Sequence, residues 1–329
     1  MNENLFRLIG DFQDKVHLAL KIMYRSGIEM PSSRSKWIES CIPNSGELDG
    51  GFKYYKHGAG CQVELNSGSI DFDFGENGEV GGFNCWWLAC FAGENIKSYG
   101  FENMVDIAEH LEKALDYGEL IFPYRDLYYI ANVPFTYAID IDSRNAGDLL
   151  PSRNHDRVLT LHIHYFETAE LMYKNYDKIK QKKKRNGYLN RQDNTDMRIY
   201  LSTWLGFLGV TCEGFRKLNM RVLINNERPE SFKELLSLSD SIGKIMKQHA
   251  NSLRIFRNNV FHLRENTEFA YHFFDGRAER LCWARELHVV LTEFFSQYRV
   301  CCEVHYVING RKGESDLIKK KGKRARKLP

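Results

Sequence analysis

The sequence lacks any apolar run long enough to cross a membrane, and it is poor in proline. Its 329 residues include 7 prolines, while 43% of the residues are hydrophobic and 27% are charged. This composition is typical of a folded protein and excludes a disordered or low-complexity chain. No stretch of about 18 or more apolar residues occurs, and the N-terminus carries charges among its apolar positions, unlike a secretory signal. We therefore expect no membrane contact and a cytoplasmic location.

Sequence motifs for metals, nucleotides and cofactors are also absent. The 8 cysteines form no Cys-x-x-Cys pair, and in a cytoplasmic chain we expect them to be reduced and mostly buried. No Walker A loop, Gly-x-Gly-x-x-Gly loop, Gly-x-Ser-x-Gly elbow or His-Glu-x-x-His motif occurs. We expect no metal site and no cofactor.

The net charge of +3 conceals an uneven distribution along the chain. Residues 1–122 carry 10 Lys or Arg and 19 Asp or Glu, a net charge of −9, whereas residues 123–329 have a net charge of +12. Most of the positive charge lies in two runs, at 178–191 and 310–329. We expect both runs outside regular packed structure. They are either a solvated loop and tail, or a surface that captures a phosphate backbone.

Periodicity predicts a small α+β domain over residues 1–122. Apolar residues at helical spacing predict amphipathic helices at 4–25 and 101–117. Between them, residues 52–92 hold short aromatic and β-branched segments separated by glycine-bearing turns (FKYYKHG, CQVEL, SIDFDFG and GGFNCWWLACF), which predict an antiparallel meander of three or four strands. Residues 123–155, which contain three of the prolines, are expected to be a connector with one strand.

A helical pattern fills the rest of the chain. Predicted helices cover about 156–181, 196–217, 231–242, 242–262 and 278–300, joined by loops of modest length. This pattern indicates an all-α bundle over 156–309, followed by a basic tail at 310–329. The fold class predicted for the whole chain is therefore α+β.

The segment LRIFRNNVFHLRE, residues 253–265, combines an apolar helix face with a polar stripe. Arg254, Asn258 and His262 recur at i, i+4 and i+8, and Arg257 lies beside them. A guanidinium can bind two phosphate oxygens, and an imidazole can transfer a proton near neutral pH. The stripe therefore suits the binding and cleavage of a phosphodiester.

This segment resembles the HEPN family of helical RNases, whose signature is an arginine, four to six further residues and a histidine, often with a polar residue after the arginine. Here the signature reads RNNVFH, residues 257–262. The resemblance covers roughly residues 156–300 and implies RNA cleavage without a metal, by attack of the 2′-hydroxyl on the adjacent phosphate. It assigns His262 as acid or base, Arg257 to the phosphate, and Asn258 to orienting these groups or the substrate.

Members of this family usually dimerise so that two motifs share one cleft, which implies a homodimer here and a role as a toxin or anti-phage abortive-infection effector. Many toxin-type members carry a tyrosine two residues after the histidine, but this chain has Arg264 there, so control through that tyrosine is not expected. RNA contacts are assigned to Lys182, Lys183, Lys184, Arg185 and Arg254. The alternative is a catalytically inactive bundle that serves as an interaction or immunity module. Arg257 and His262 would then belong to a non-catalytic HEPN-like bundle or form a buried capping pair at a helix end.

Two further features of the helical half have an ordinary structural interpretation beside a functional one. Gly206, Gly209 and Glu213 share one helix face, which suits either close helix packing or a place near the site or across a dimer. His162 and His164 have the appearance of a metal pair, but positions i and i+2 on a helix point about 200° apart.

The first domain offers a histidine and two carboxylates. Asp71 and Asp73 are either paired carboxylates or the solvated side of a half-buried strand. His57 lies at a turn, where it can act only if the fold brings an acid near it. The KHGAG and IDFDFG segments resemble an uncharacterised bacterial domain of unknown function, which implies no activity. Because this domain is acidic, we expect it to bind a protein trigger or inhibitor rather than RNA.

Overall fold

The structure is a computed structural model that describes residues 1–124, 126–262, 273 and 279–317. The described chain forms two compact units. The first comprises residues 1–144 together with the described residues from 306 onward, and the second comprises residues 145–305. The predicted α+β fold class is confirmed, because an antiparallel sheet in the first unit is followed by helices in the second.

A four-stranded antiparallel sheet in the order β1-β2-β3-β4 organises the first unit. Its strands are β1 (Ser45–Glu47), β2 (Lys53–His57), β3 (Gly60–Leu65) and β4 (Gly68–Asp73). Alternation places Ile70 and Phe72 in the core with the apolar stripe of α1 (Glu3–Arg25). The Asn2 side chain caps this helix by accepting a hydrogen bond from the Asn4 N–H. The predicted meander and first helix are thereby confirmed.

Further helices and strands belong to the first unit. They are α2 (Arg34–Ile38), α3 (Cys85–Ala92), α4 (Met104–Asp116), β5 (Glu79–Val80), β6 (Leu120–Tyr124), β7 (Leu127–Ile130) and β8 (Thr136–Tyr137). The last predicted strand is wrong, because the CWWLACFA segment forms α3, whose start is capped where Asn84 accepts a hydrogen bond from the Trp87 N–H. The segment expected as a connector, 123–155, contains β7 and β8, since pairing with β6 and β5 stabilises them.

A turn near the C-terminus belongs to the packed core of the first unit. Arg311 and Glu314 are completely buried, and the guanidinium Nε and Nη2 groups donate to the carboxylate at 2.7 Å. The Ser143 hydroxyl also donates to Glu314. The expectation of an unpacked tail therefore does not hold for residues 310–317, because the buried charges there are mutually compensated. Residues 318–329 lie outside the described residues.

The second unit is built from helices. They are α5 (Arg157–Leu161), α6 (Glu167–Asn186), α7 (Arg191–Lys217), α8 (Met220–Asn226), α9 (Leu236–Phe261) and most of α10 (Glu279–Ile308). A π-helical turn, His162–Phe166, joins α5 to α6. One continuous helix, α9, replaces two predicted helices that met at residue 242, because its sequence contains no proline to break it. The basic run expected to be a loop is largely the exposed end of α6, since Lys and Arg favour helix.

The core of the second unit contains a buried ionic network. Asp156 caps α5 by accepting hydrogen bonds from the N–H groups of Val158 and Leu159. The Arg228 guanidinium lies 3.3 Å from Asp156 and donates to the Tyr298 hydroxyl at 2.7 Å. That hydroxyl donates in turn to Asp156 at 2.7 Å. Burial raises the pKa of Tyr298 well above its ordinary value, so the hydroxyl stays protonated and remains a donor.

Among the helices in the described ranges, none combines the length and apolar character needed to span a membrane.

Candidate functional site

Two glycines bring α7 and α9 close together in the second unit. A Cβ at Gly206 would lie 2.8 Å from the Phe261 ring, and one at Gly209 would lie 3.1 Å from the Arg257 Cβ. Side chains at these positions would therefore push the helices apart. The glycine face of α7 thus packs against the part of α9 that carries the predicted motif.

Arg257 is held by a carboxylate from α7. Its Nη2 group donates to Glu213 Oε1, and the two side chains are 19% and 21% exposed. The Arg257 Nε atom is buried and has no hydrogen-bond partner among the described residues. A partly desolvated ion pair holds a guanidinium in one direction more firmly than a surface pair does. Glu213 therefore determines where Arg257 points.

His262 lies just beyond the end of α9. The helix ends at Phe261, and His262 has an extended backbone (φ −127°, ψ 136°) whose N–H donates to the Asn258 carbonyl at 3.1 Å. The His262 side chain is exposed. The helical stripe predicted through Arg254, Asn258 and His262 is therefore wrong at its last member, because the chain leaves the helix one residue earlier.

The structure brings only part of the predicted motif together. Arg254 is exposed and donates to Asn251 Oδ1 at 3.1 Å, while Asn258 is half-buried. Arg264, where the sequence departs from the toxin-type pattern, lies outside the described residues.

The basic run on α6 lies at an exposed helix end. Lys182 Nζ is 2.7 Å from Asp193 Oδ2 on α7, so this lysine already has an acidic partner. Lys183, Lys184 and Arg185 are exposed. Cations in the last turn of a helix are favoured by its dipole, which accounts for helix where a loop was expected.

A second polar cluster lies on the sheet of the first unit. His57 on β2 and the two carboxylates Asp71 and Asp73 on β4 form this His57 cluster, with β3 between the two strands. His57 Nε2 is 2.7 Å from Asp71 Oδ1, and His57 Nδ1 is 3.9 Å from Asp73 Oδ1. The fold therefore brings two acids to His57, which was the condition for this histidine to act.

Gly60 makes room for the His57 cluster. Strand register pairs it with both His57 and Asp73, and a Cβ there would lie 1.9 Å from the Phe72 carbonyl oxygen and 2.4 Å from Asp73 Oδ1. The hydrogen bond with Asp71 raises the pKa of His57, and desolvation raises the pKa of Asp73. The cluster can therefore hold and exchange a proton.

The two histidines that had the appearance of a metal pair point apart. His162 is buried against the rings of Phe166 and Phe295, whereas His164 is exposed. Burial lowers the pKa of His162 to about 4, so its ring is neutral at physiological pH. Within the part of the chain that the structure describes, no three His, Cys, Asp or Glu side chains are arranged to hold a metal ion.

Comparison with known proteins finds a similarity over the first part of the chain. Residues 5–130 match the family model described as Domain of unknown function (DUF6896). The match covers less than half of the chain, and the description names no activity. The predicted resemblance of the first domain to a domain of unknown function is thereby confirmed. No curated protein and no solved structure matches the chain.

Proposed function

We propose that the helical unit is a metal-independent endoribonuclease of HEPN type. The observation that carries the proposal is the pairing of Arg257 with Glu213 shortly before the exposed His262. A fixed guanidinium and a solvent-facing imidazole supply a phosphate ligand and a proton carrier. Both roles are performed by side chains alone.

In the proposed reaction, a ribose 2′-hydroxyl attacks the adjacent phosphorus. The 2′-O–P bond forms and the P–O5′ bond breaks, which leaves a 2′,3′-cyclic phosphate and a 5′-hydroxyl. A base removes the proton of the 2′-hydroxyl, and an acid protonates the departing 5′-oxygen. Arg257 would stabilise the charge that develops on the phosphate oxygens, and Asn258 would orient His262 or the substrate.

A homodimer would complete this site. A single imidazole cannot be unprotonated as the base and protonated as the acid in the same step, whereas two copies supply one histidine in each state. We therefore propose a composite cleft to which each protomer contributes Arg257 and His262.

RNA would be held by the exposed cations of the helical unit. Lys183, Lys184, Arg185 and Arg254 are exposed and can contact phosphates without sequence preference. Lys182 would contribute less, because contact with a phosphate competes with its ion pair to Asp193. Cleavage should consequently weaken as salt concentration rises.

Such an activity would suit a toxin or anti-phage effector that acts in the cytoplasm. The first unit would then receive a protein trigger or inhibitor, a role supported by the net charge of −9 over residues 1–122. The first unit buries the Arg311–Glu314 pair, so a deletion of residues 1–122 would expose this pair to solvent. The role of the first unit is therefore tested on the full chain, by adding candidate trigger proteins and measuring RNA cleavage.

A second candidate function is an interaction or immunity module without catalysis. The observation that favours it is that Glu213 already neutralises Arg257 within the chain. In this case the ion pair stabilises the contact between α7 and α9, and the guanidinium needs no substrate to compensate its charge.

Cleavage of purified RNA in EDTA distinguishes the two functions. The wild-type protein should cleave without a divalent metal, and His262→Ala should lose at least about 100-fold in rate, because general acid–base catalysis contributes about 10²–10⁴-fold. His164→Ala removes an exposed histidine of the same unit and should cleave like wild type. A requirement for divalent metal, or an equal loss in the two variants, would contradict the RNase proposal.

Expression in growing cells gives an independent readout. Growth should arrest with the wild-type chain and continue with His262→Ala and with Arg257→Ala. Equal growth in all three strains, at equal protein levels, would favour the interaction module.

A further inference from the structure

A cavity of about 550 Å³ opens between the end of α7, helix α8 and the middle of α9. Phe215, Met220 and Met246 line it, and none of these residues is more than 7% exposed, so its floor is apolar. The buried Ser239 adds a hydroxyl group to this lining. The volume lies within the range of about 300–1,000 Å³ that small-molecule sites occupy.

Gly243 keeps this cavity open on the α9 side. It lines the cavity, and a Cβ at this position would have no atom within 4 Å. Glycine in a helix interior is less favourable than alanine, and here no close approach of another element requires it. A larger side chain at position 243 would therefore occupy cavity space without a clash.

Four exposed cations surround the apolar floor. They are Arg216, Arg221, Lys244 and Lys247. Arg221 pairs with Asp240, which also lines the cavity, whereas the other three cations make no ion pair with any residue that the structure describes. An anion at this rim would meet several uncompensated positive charges beside an apolar chamber.

We propose that this cavity binds a phosphate monoester with an apolar body. The body, an aryl ring system or an alkyl chain, would enter the chamber over Phe215 and Met246, and the dianionic phosphate would remain at the rim with Arg216, Lys244 and Lys247. The mostly apolar floor favours a hydrocarbon body over one that presents many hydrogen-bonding edges. The site shares no residue with the proposed RNase motif, so either proposal can fail alone.

Calorimetric titration of the full-length protein tests the ligand class. We expect saturable binding of 1-naphthyl phosphate or of decyl phosphate, and the tighter of the two identifies an aryl or an alkyl body. Inorganic phosphate lacks the body and 1-naphthol lacks the charge, so each should bind at least about tenfold more weakly. Absence of saturable binding by both phosphate esters would overturn the proposal.

Gly243→Leu locates the binding in the cavity. The new side chain would fill the chamber and replace a glycine in a helix, so we expect at least tenfold weaker binding with undiminished helix content. Gly10→Leu is the matched control, because Gly10 lies in α1 of the first unit and a Cβ there also has no atom within 4 Å. Binding that is unchanged in Gly243→Leu, or reduced equally in Gly10→Leu, would contradict the assignment.

The rim is tested separately by the double substitution Lys244→Gln and Lys247→Gln. Both side chains are exposed, so the fold should not depend on them. Binding of the phosphate ester should weaken at least tenfold and lose part of its dependence on salt concentration. Unchanged affinity and salt dependence would show that the anion is not held at this rim.

Discussion

The two units place their polar groups by different means. In the first unit, the His57 cluster comes from strands β2 and β4, and strand register brings its members together over Gly60. In the second unit, Glu213 and Arg257 come from two helices and meet where Gly209 lets the helices approach. Both contacts require a glycine, but the atoms that a Cβ would meet differ between the two positions. Gly60 faces a backbone carbonyl in the strand ladder, whereas Gly209 faces the Cβ of Arg257 on the neighbouring helix.

The His57 cluster therefore depends on backbone spacing, whereas the contact between Glu213 and Arg257 depends on compensated charge. The second unit also buries Asp156 and Arg228 completely or nearly so, whereas the side chains of the His57 cluster are between 18% and 38% exposed. Substitutions that remove Asp156 or Arg228 should therefore destabilise the second unit strongly. Substitutions that add volume at the sheet should affect the first.

The largest effect is expected for Arg228→Met. It leaves Asp156 buried without its ionic partner, which typically costs about 3–5 kcal/mol. Arg157→Met is the matched control, because the Arg157 side chain is 64% exposed and its pair with Glu227 should contribute at most about 1 kcal/mol. Hydrogen exchange with mass spectrometry would show whether the loss is confined to peptides of the second unit. Similar losses in both variants would contradict this account.

Gly60→Ala should produce the next largest effect, in the first unit. The added Cβ meets a backbone oxygen, so β3 and β4 must separate locally at a cost of about 3 kcal/mol. Gly10→Ala, in open space on α1, should leave the stability equal or raise it by up to about 1 kcal/mol. Urea unfolding measures both variants. A Gly60→Ala protein as stable as wild type would show that strand register does not fix the His57 cluster.

The pH dependence should have opposite signs in the two units. Burial lowers the pKa of His162 and of His288 from 6.5 to about 4. As pH falls, the unfolded chain therefore binds protons at these histidines before the folded chain does. Stability of the second unit should fall as pH drops from about 6.5 to about 4, by up to about 1.4 kcal/mol per pH unit for each histidine. The pKa of His57 is raised instead, so its contribution is present below 6.5 and lost as pH rises through its folded pKa.

Replacement of His162 measures how much this histidine contributes to the pH dependence of stability. The Nδ1 atom of His162 has no hydrogen-bond partner among the described residues. In His162→Phe, the pH dependence of the stability of the second unit should therefore decrease. His164→Ala should retain the wild-type slope, since this side chain is exposed. Equal slopes in wild type and His162→Phe would show that the buried imidazole does not control acid stability.

Glu213→Gln should give the smallest effect. The pair with Arg257 is about one-fifth exposed, so its loss should cost about 1–2 kcal/mol, less than for a fully buried pair. Glu230→Gln breaks the more exposed pair with Lys233 and should cost less than about 0.5 kcal/mol. If Glu213 positions Arg257, RNA cleavage should also fall in Glu213→Gln but not in Glu230→Gln. Equal stability of the two variants would show that the helix contact does not depend on this pair.

The spacing of apolar residues correctly predicted those helices and strands in which such residues repeat at a regular interval. The stripe of α1 and the alternation of Ile70 and Phe72 with polar residues are such cases, and each appears in the core as expected. The CWWLACFA segment is apolar without a period, so strand and helix could not be separated until the Asn84 cap was known. Two helices were predicted to meet at residue 242, yet α9 continues through this position.

Contacts between distant segments could not be predicted from the sequence. The end of α9 before His262 depends on tertiary context, and a helical stripe drawn from spacing alone extends too far. The pairing of Arg311 with Glu314 is hidden in a segment of basic composition. The His57 cluster became visible only with the register of β2, β3 and β4, which pairs Gly60 with both His57 and Asp73.

The chemical ends of cleaved RNA test the central proposal most directly. Purified wild-type protein, incubated with a defined RNA in EDTA, should leave 5′-hydroxyl ends that a kinase labels without prior phosphatase treatment. The 3′ ends should resist phosphatase until acid opens the 2′,3′-cyclic phosphate. Products with 5′-phosphate and 3′-hydroxyl ends would contradict the RNase mechanism. Wild-type protein that cleaves no more RNA than His262→Ala would contradict it as well.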